Sequence, residues 1–145
     1  MREHCYCEIK LDEGARLPER KHPEDAGFDL YASEDAMIPA GGWKAVDTGV
    51  HTNPRPGWYI QIVPRSGLAY KSGISVLNTP GTIDSNYRNS IKVIMYNISD
   101  SNYEVHVGDR IAQMIFTPVY DVDFAEVDEL EDSDRGLGGF GSTGK

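Results

Sequence analysis

Pro64-Arg65-Ser66-Gly67 sets a guanidinium, a hydroxyl and a glycine amide side by side. If Pro64 ends a strand and Ser66 caps a helix of one or two turns over 66–71, unpaired backbone N–H groups and the helix dipole gather at that junction and favour a phosphate. The same four residues also suit an ordinary turn. Further on, the stretch from Asn78 to Arg88 (NTPGTIDSNYR) reads as a hairpin bent at Pro80-Gly81, with a carboxylate at Asp84 and a ring at Tyr87. Hydrolysis of a phosphoanhydride needs a carboxylate to orient and deprotonate water, and a ring beside it can lie on a sugar, although an acid here can equally cap a turn. The last eleven residues, RGLGGFGSTGK, contain five glycines and cannot pack a core by themselves. They read as a mobile arm able to fold over a triphosphate with backbone amides, Arg135, Ser142, Thr143 and the ring of Phe140. A Walker site is excluded, because the spacing is wrong and no strand-helix frame surrounds it.

The elements that must hold these groups are strands. Turn signals recur about every ten residues, among them Pro39-Ala40-Gly41-Gly42, Asn53-Pro54-Arg55-Pro56-Gly57 and Gly108-Asp109. Between them lie segments rich in branched and aromatic residues at 58–63, 91–98, 103–107 and 111–116, with partial alternation and no sustained helical period. This pattern predicts an all-β sandwich or barrel of the jelly-roll kind. A chain of 145 residues fits one domain, expected over 1–134, followed by the arm over 135–145.

No apolar run approaches the ~20 residues of a membrane span, and the start MREHCYCEIK has no secretory stretch, so a soluble, cytoplasmic protein is expected, with no membrane partner. Cys5 and Cys7 have no second pair to complete a zinc site and are expected to be reduced strand cysteines. Segment 121–134 holds eight acids and no base, which accounts for most of the net charge of −9 and leaves −1 on the remainder. That run is expected to be a solvated strand end followed by a linker, and the overall charge argues against nucleic acid as a partner.

Taken in order from Ala26 to Gly144, these segments resemble the five motifs of the trimeric dUTPase family. Ala26-Gly27-Phe28-Asp29-Leu30-Tyr31-Ala32 is similar to the first, Pro64-Arg65-Ser66-Gly67-Leu68-Ala69 to the second and Gly81-Thr82-Ile83-Asp84-Ser85-Asn86-Tyr87-Arg88 to the third. Gly108-Asp109-Arg110-Ile111-Ala112-Gln113 and the glycine-rich tail supply the fourth and fifth. The resemblance implies an all-β, jelly-roll-like homotrimer with active sites at subunit interfaces, hydrolysing dUTP to dUMP and pyrophosphate with Mg²⁺. It implies that Asp84 is the general base, that Tyr87 lies against the sugar, and that Asn78, Gly81, Thr82, Ile83 and Lys92 surround the uracil. Arg65, Ser66, Gly67 and Gln113 would hold phosphates, and Asp29 would meet Mg²⁺ through water. From the arm, Phe140 and Gly141 would cover the base while Arg135, Ser142 and Thr143 close on the phosphates, Arg135 acting like an arginine finger. The third motif departs from the family pattern at Asn86, Asn89 and Ser90, where Asp, Gly and Glu are expected.

Two other readings compete. A dCTP deaminase of the same fold would need a glutamate-bearing pattern that the third motif lacks. A nucleotide-gated trimer that recognises a protein partner is compatible with an intact Asp84, Arg135 and Phe140 but is not implied by them.

Overall fold

A computed structural model describes residues 2–144, so the end positions 1 and 145 of the expected domain and arm lie outside the described residues. In chain order the elements are β1 (Cys7–Leu11), β2 (Phe28–Tyr31), β3 (Ala36–Ile38), β4 (Trp43–Asp47), β5 (Val50–Pro54) and β6 (Trp58–Val63). There follow α1 (Ser66–Ser72), β7 (Ile74–Val76), β8 (Gly81–Ile83), β9 (Lys92–Asn97), β10 (Tyr103–Val105) and β11 (Arg110–Pro118). The strands expected at 58–63, 91–98, 103–107 and 111–116 all form, with ends displaced by no more than two residues, but Cys5 lies ahead of β1 and β11 stops at Pro118, short of the acidic run. None of the described helices is long and apolar enough to cross a membrane.

Alternation decides what each strand buries. In β6 the side chains of Ile60 and Ile62 go inward while Tyr59, Gln61 and Val63 stay partly exposed. In β9 the inward set is Val93, Met95 and Asn97. A four-stranded antiparallel sheet in the order β2-β11-β6-β8 and a three-stranded sheet β4-β9-β7 supply most of one apolar cluster. Its members include Leu30, Ile62, Ala112 and Met114 from the first and Val46, Val93 and Met95 from the second. Two ribbons, β1-β5 and β3-β10, complete a jelly-roll-like all-β fold.

Two local expectations change. The 78–88 stretch is not a hairpin: β7 before it pairs with β9, whereas β8 within it pairs with β6. Pro80 has no N–H to continue a ladder back onto β7, and Gly81 packs closely on β6, where an added Cβ would stand 3.4 Å from Cβ of Ile62. The segment is therefore a crossover between sheets. Nor does Ser66 cap α1, because Arg65 occupies the N-cap position in extended conformation without a side-chain cap and Ser66 is the first helical residue. The Ser66 side chain stays exposed, free to meet a ligand.

Candidate active site

One half of the site sits where β6 ends. The register pairs Gln113 of β11 with Val63 on one side and Asp29 of β2 on the other, so three strands deliver Asp29, Gln113 and the chain leading to Arg65 to one place. Asp29 anchors two cations there: its Oδ1 lies 3.7 Å from Nε of Arg65 and its Oδ2 lies 3.6 Å from Nη1 of Arg110. Nη1 of Arg65 also donates to the Arg110 carbonyl at 3.4 Å, which ties the Arg65 side chain to the start of β11. Nε2 of Gln113 donates to the Pro64 carbonyl at 3.2 Å, tying β11 to the loop that opens α1. Gly27 makes room for that amide, because a Cβ there would collide with Oε1 of Gln113. At Gly67 nothing lies within 4 Å of where a Cβ would be, so the backbone at the start of α1 is open to a ligand.

Asp29, Arg65 and Arg110 border an open cleft of about 520 Å³ that Arg16, Arg20, Lys21, Tyr103 and Asp109 also line. Sequence reasoning missed Arg16, Arg20, Lys21 and Tyr103, and it placed Asp109 and Arg110 in the fourth motif without giving either a role. The signal was present in the only close grouping of bases in the first third of the chain, Arg16, Arg20 and Lys21. The cleft is cationic despite the acidity of the whole chain, which suits a polyphosphate. Burial, with Asp109 nearby, pushes the Tyr103 phenol up from its ordinary value, keeping it neutral beside the charged groups.

Asp29 also bears on metal binding. Among the described residues no three His, Cys, Asp or Glu side chains gather to ligate an ion directly. Mg²⁺ keeps several waters and takes one or two carboxylates plus phosphate oxygens, so a single partly exposed carboxylate reached through water fits it.

The other half of the site is the crossover. β8 is the last strand of its sheet, and within Gly81–Ile83 the backbone groups of alternate residues face away from β6 along a free edge, open to a planar ring. Asn78 folds close over Gly81, its Nδ2 3.3 Å from where a Cβ would stand. Asp84 follows at the surface, exposed. Its carbonyl accepts from N–H of Tyr87 at 3.1 Å, and the Tyr87 hydroxyl donates to the Ser90 carbonyl at 2.9 Å, so carboxylate and ring sit on one tight turn. Lys92 begins β9 in the other sheet, opposite Asp47.

The two halves do not meet within one chain. Ile83 pairs with Ile60, which puts Asp84 level with Tyr59, six residues back along β6 from Arg65, or about 20 Å at the rise of a strand. Arg135, Phe140, Gly141, Ser142 and Thr143 stand apart from both. Nε of Arg135 donates to the Gly138 carbonyl at 2.7 Å, Ser142 N–H to the Gly139 carbonyl at 3.0 Å, and Phe140 is fully exposed.

A sequence profile described as dUTPase matches residues 13–144. The chain belongs to the dUTPase family. Among similar dUTPases, the deoxyuridine 5'-triphosphate nucleotidohydrolase of Nautilia profundicola is 50% identical over 94% of this chain and 96% of its own length. That of Clostridioides difficile is 47% identical over 93% and 94%. Of solved dUTPases, that of Staphylococcus bacteriophage 80alpha with dUPNHPP superposes with a TM-score of 0.89 at 25% identity, covering 97% of this chain and 99% of that one. A mutant dUTPase of phage phi11 of S. aureus, described with a structural Mg(II) ion, has a TM-score of 0.78 at 22% identity over 86% and 97%. Where this dUTPase departs from the expected third motif at positions 89 and 90, the new residues are bonded. Asn89 Oδ1 accepts from N–H of Ser90 at 2.8 Å, and buried Ser90 donates its hydroxyl to Oδ2 of Asp47 at 3.1 Å.

Proposed function

We propose that this chain is a dUTP diphosphatase that cuts dUTP to dUMP and pyrophosphate in the cytoplasm, keeping uracil out of DNA and supplying dUMP. The observation that carries the reading is the exposed carboxylate of Asp84 held on one turn with Tyr87, beside the open edge of β8. Asp84 takes a proton from a water whose oxygen attacks the α-phosphorus. The bond from that phosphorus to the bridging oxygen breaks, and pyrophosphate leaves. Tyr87 lies on the deoxyribose where a 2'-hydroxyl has no space, and Asn78, Gly81, Thr82, Ile83 and Lys92 surround the uracil. Arg65, Ser66, Gly67 and Gln113 bind the phosphates. Mg²⁺, when bound, supplies neutralising charge to the triphosphate oxygens, and Asp29 is the residue that would hold its water shell.

The ~20 Å between Asp84 and Arg65 supports an assembly in which neighbouring copies bring the halves together, as a homotrimer with interfacial sites does. The arm over 135–145 then belongs to the closing of such a site, Phe140 and Gly141 over the base and Arg135, Ser142 and Thr143 on the phosphates.

Turnover of dUTP, dCTP, dTTP and UTP measured in parallel in ¹⁸O-water tests this. The expected result is preference for dUTP with the label in dUMP. Label in pyrophosphate, or equal turnover of UTP, overturns it. Asp84→Asn keeps the shape and loses the basicity, and kcat is expected to fall about 10²-fold to 10⁴-fold with a much smaller change in KM.

A further inference from the structure

His51 lies in β5, opposite Lys10 of β1, on the ribbon against which the Asp84 turn rests. Its Nδ1 is 2.8 Å from the Arg88 carbonyl and its Nε2 is 2.9 Å from Oδ2 of Asp12. Both partners can only accept. A neutral imidazole has one N–H and satisfies one of them, leaving the other ring nitrogen to set its lone pair against an oxygen, whereas the imidazolium donates to both. Arg88 fastens the same turn from its other end, with Nη1 donating to the Ser85 carbonyl at 2.5 Å and Nη2 to Oδ1 of Asn53 at 2.6 Å. Asn53 in turn donates to Oε1 of Glu8 at 2.9 Å. Residues 85–88 are thus strapped to the β1-β5 ribbon, and Tyr87 lies inside the strap.

We propose that His51 is a positioning residue: its doubly donating imidazolium, clasped between Asp12 and the Arg88 carbonyl, holds the Asp84–Arg88 segment in working position and releases it as pH rises. The inference rests on the roles given above to Asp84 and Tyr87. The charged groups around the ring act in both directions. Asp12 favours the imidazolium, Lys10 across the ribbon opposes it, and the Arg88 guanidinium and Glu8 carboxylate are engaged with Asn53. The balance raises the His51 pKa from its ordinary 6.5, first through the bond to the Arg88 carbonyl and then through the bond to Asp12. With the folded value above the unfolded one, the clasp is complete below about pH 6.5 and is lost as pH climbs through the raised value.

The test uses the full chain at about pH 6 to about pH 9. In the nucleotide-free protein, the ring signal that disappears in His51→Gln is followed by NMR together with the amides of Tyr87 and Arg88. His51 is expected to titrate above 6.5, with those amides moving at the same midpoint. kcat/KM for dUTP is expected to fall about 3-fold to 10-fold across that midpoint, and the fall is expected to be absent in His51→Gln. Asp12→Asn, which removes the neighbouring anion and keeps a similar shape, is expected to shift both midpoints downward together, a change that a merely structural contact would not produce. Titration at or below 6.5, amides that ignore it, or midpoints unmoved by Asp12→Asn overturn the proposal. Absence of dUTP turnover at every pH overturns the proposed function instead, and the NMR titration still decides whether the clasp exists.

Discussion

Gly27 shows how a missing side chain positions one that is present. The Gln113 amide lies across it to reach the Pro64 carbonyl, and a methyl at 27 would stand 3.2 Å from both Cβ and Cδ of Gln113 as well as striking its Oε1. Gly27→Ala is expected to push Gln113 off Pro64 and lower kcat/KM for dUTP about 10-fold, while thermal unfolding shifts by only a few degrees because Gly27 is outside the core. A normal kcat/KM would show that Gln113 does not bear on the phosphates. The residue types of the proposed site could be singled out in the sequence because chemistry restricts them: a carboxylate with a ring, a guanidinium with a hydroxyl. The partner of Asp29 was not, since Arg110 is 81 positions away and meets it only because β2 and β11 are neighbours.

Among the elements, β9 depends on one polar side chain. Asn97 is fully buried, and its amide donates to the carbonyls of Ile38 at 3.1 Å and Ser101 at 2.8 Å. Its Oδ1 accepts from N–H of Ser99 at 3.0 Å and from the Ser99 hydroxyl at 2.7 Å. Four bonds from one side chain join β3, the end of β9 and the turn that leads to β10. Asn97→Ala strands the Ile38 carbonyl and opens a void, and is expected to destabilise the fold by about 2–4 kcal/mol in a denaturant titration. A loss below about 0.5 kcal/mol would mean that water replaces the amide without strain. Strands such as β6 could be read from alternation, because burial on one face leaves a period of two. The false hairpin at 78–88 could not, since its residues suit a bend in either case. Which strand β8 joins is decided by the free edge of β6, a property of the assembled sheet.

At the scale of the whole molecule, the cationic cleft and the Asp84 turn occupy opposite ends of β6. If neighbouring copies combine them, two inactive variants rescue each other. Asp84→Asn and Arg65→Ala, unfolded together, mixed in equal amounts and refolded, are expected to recover about a quarter of wild-type kcat, because one interface in four joins an intact Asp84 to an intact Arg65. No recovery would place both groups in one chain's site. The last stretch of chain fits the same picture: Tyr120, Phe124 and Leu130 extend from the body with most of their surface in solvent, followed by the equally exposed Leu137 and Phe140. A site shared between copies in this way would also determine how a damaged copy of the gene behaves beside an intact one. A lesion in either half alone leaves about half of the interfaces working in a mixed population, so the loss follows dosage. A copy that lacks both halves spoils each interface it enters from either side and leaves about a quarter, so its effect is dominant.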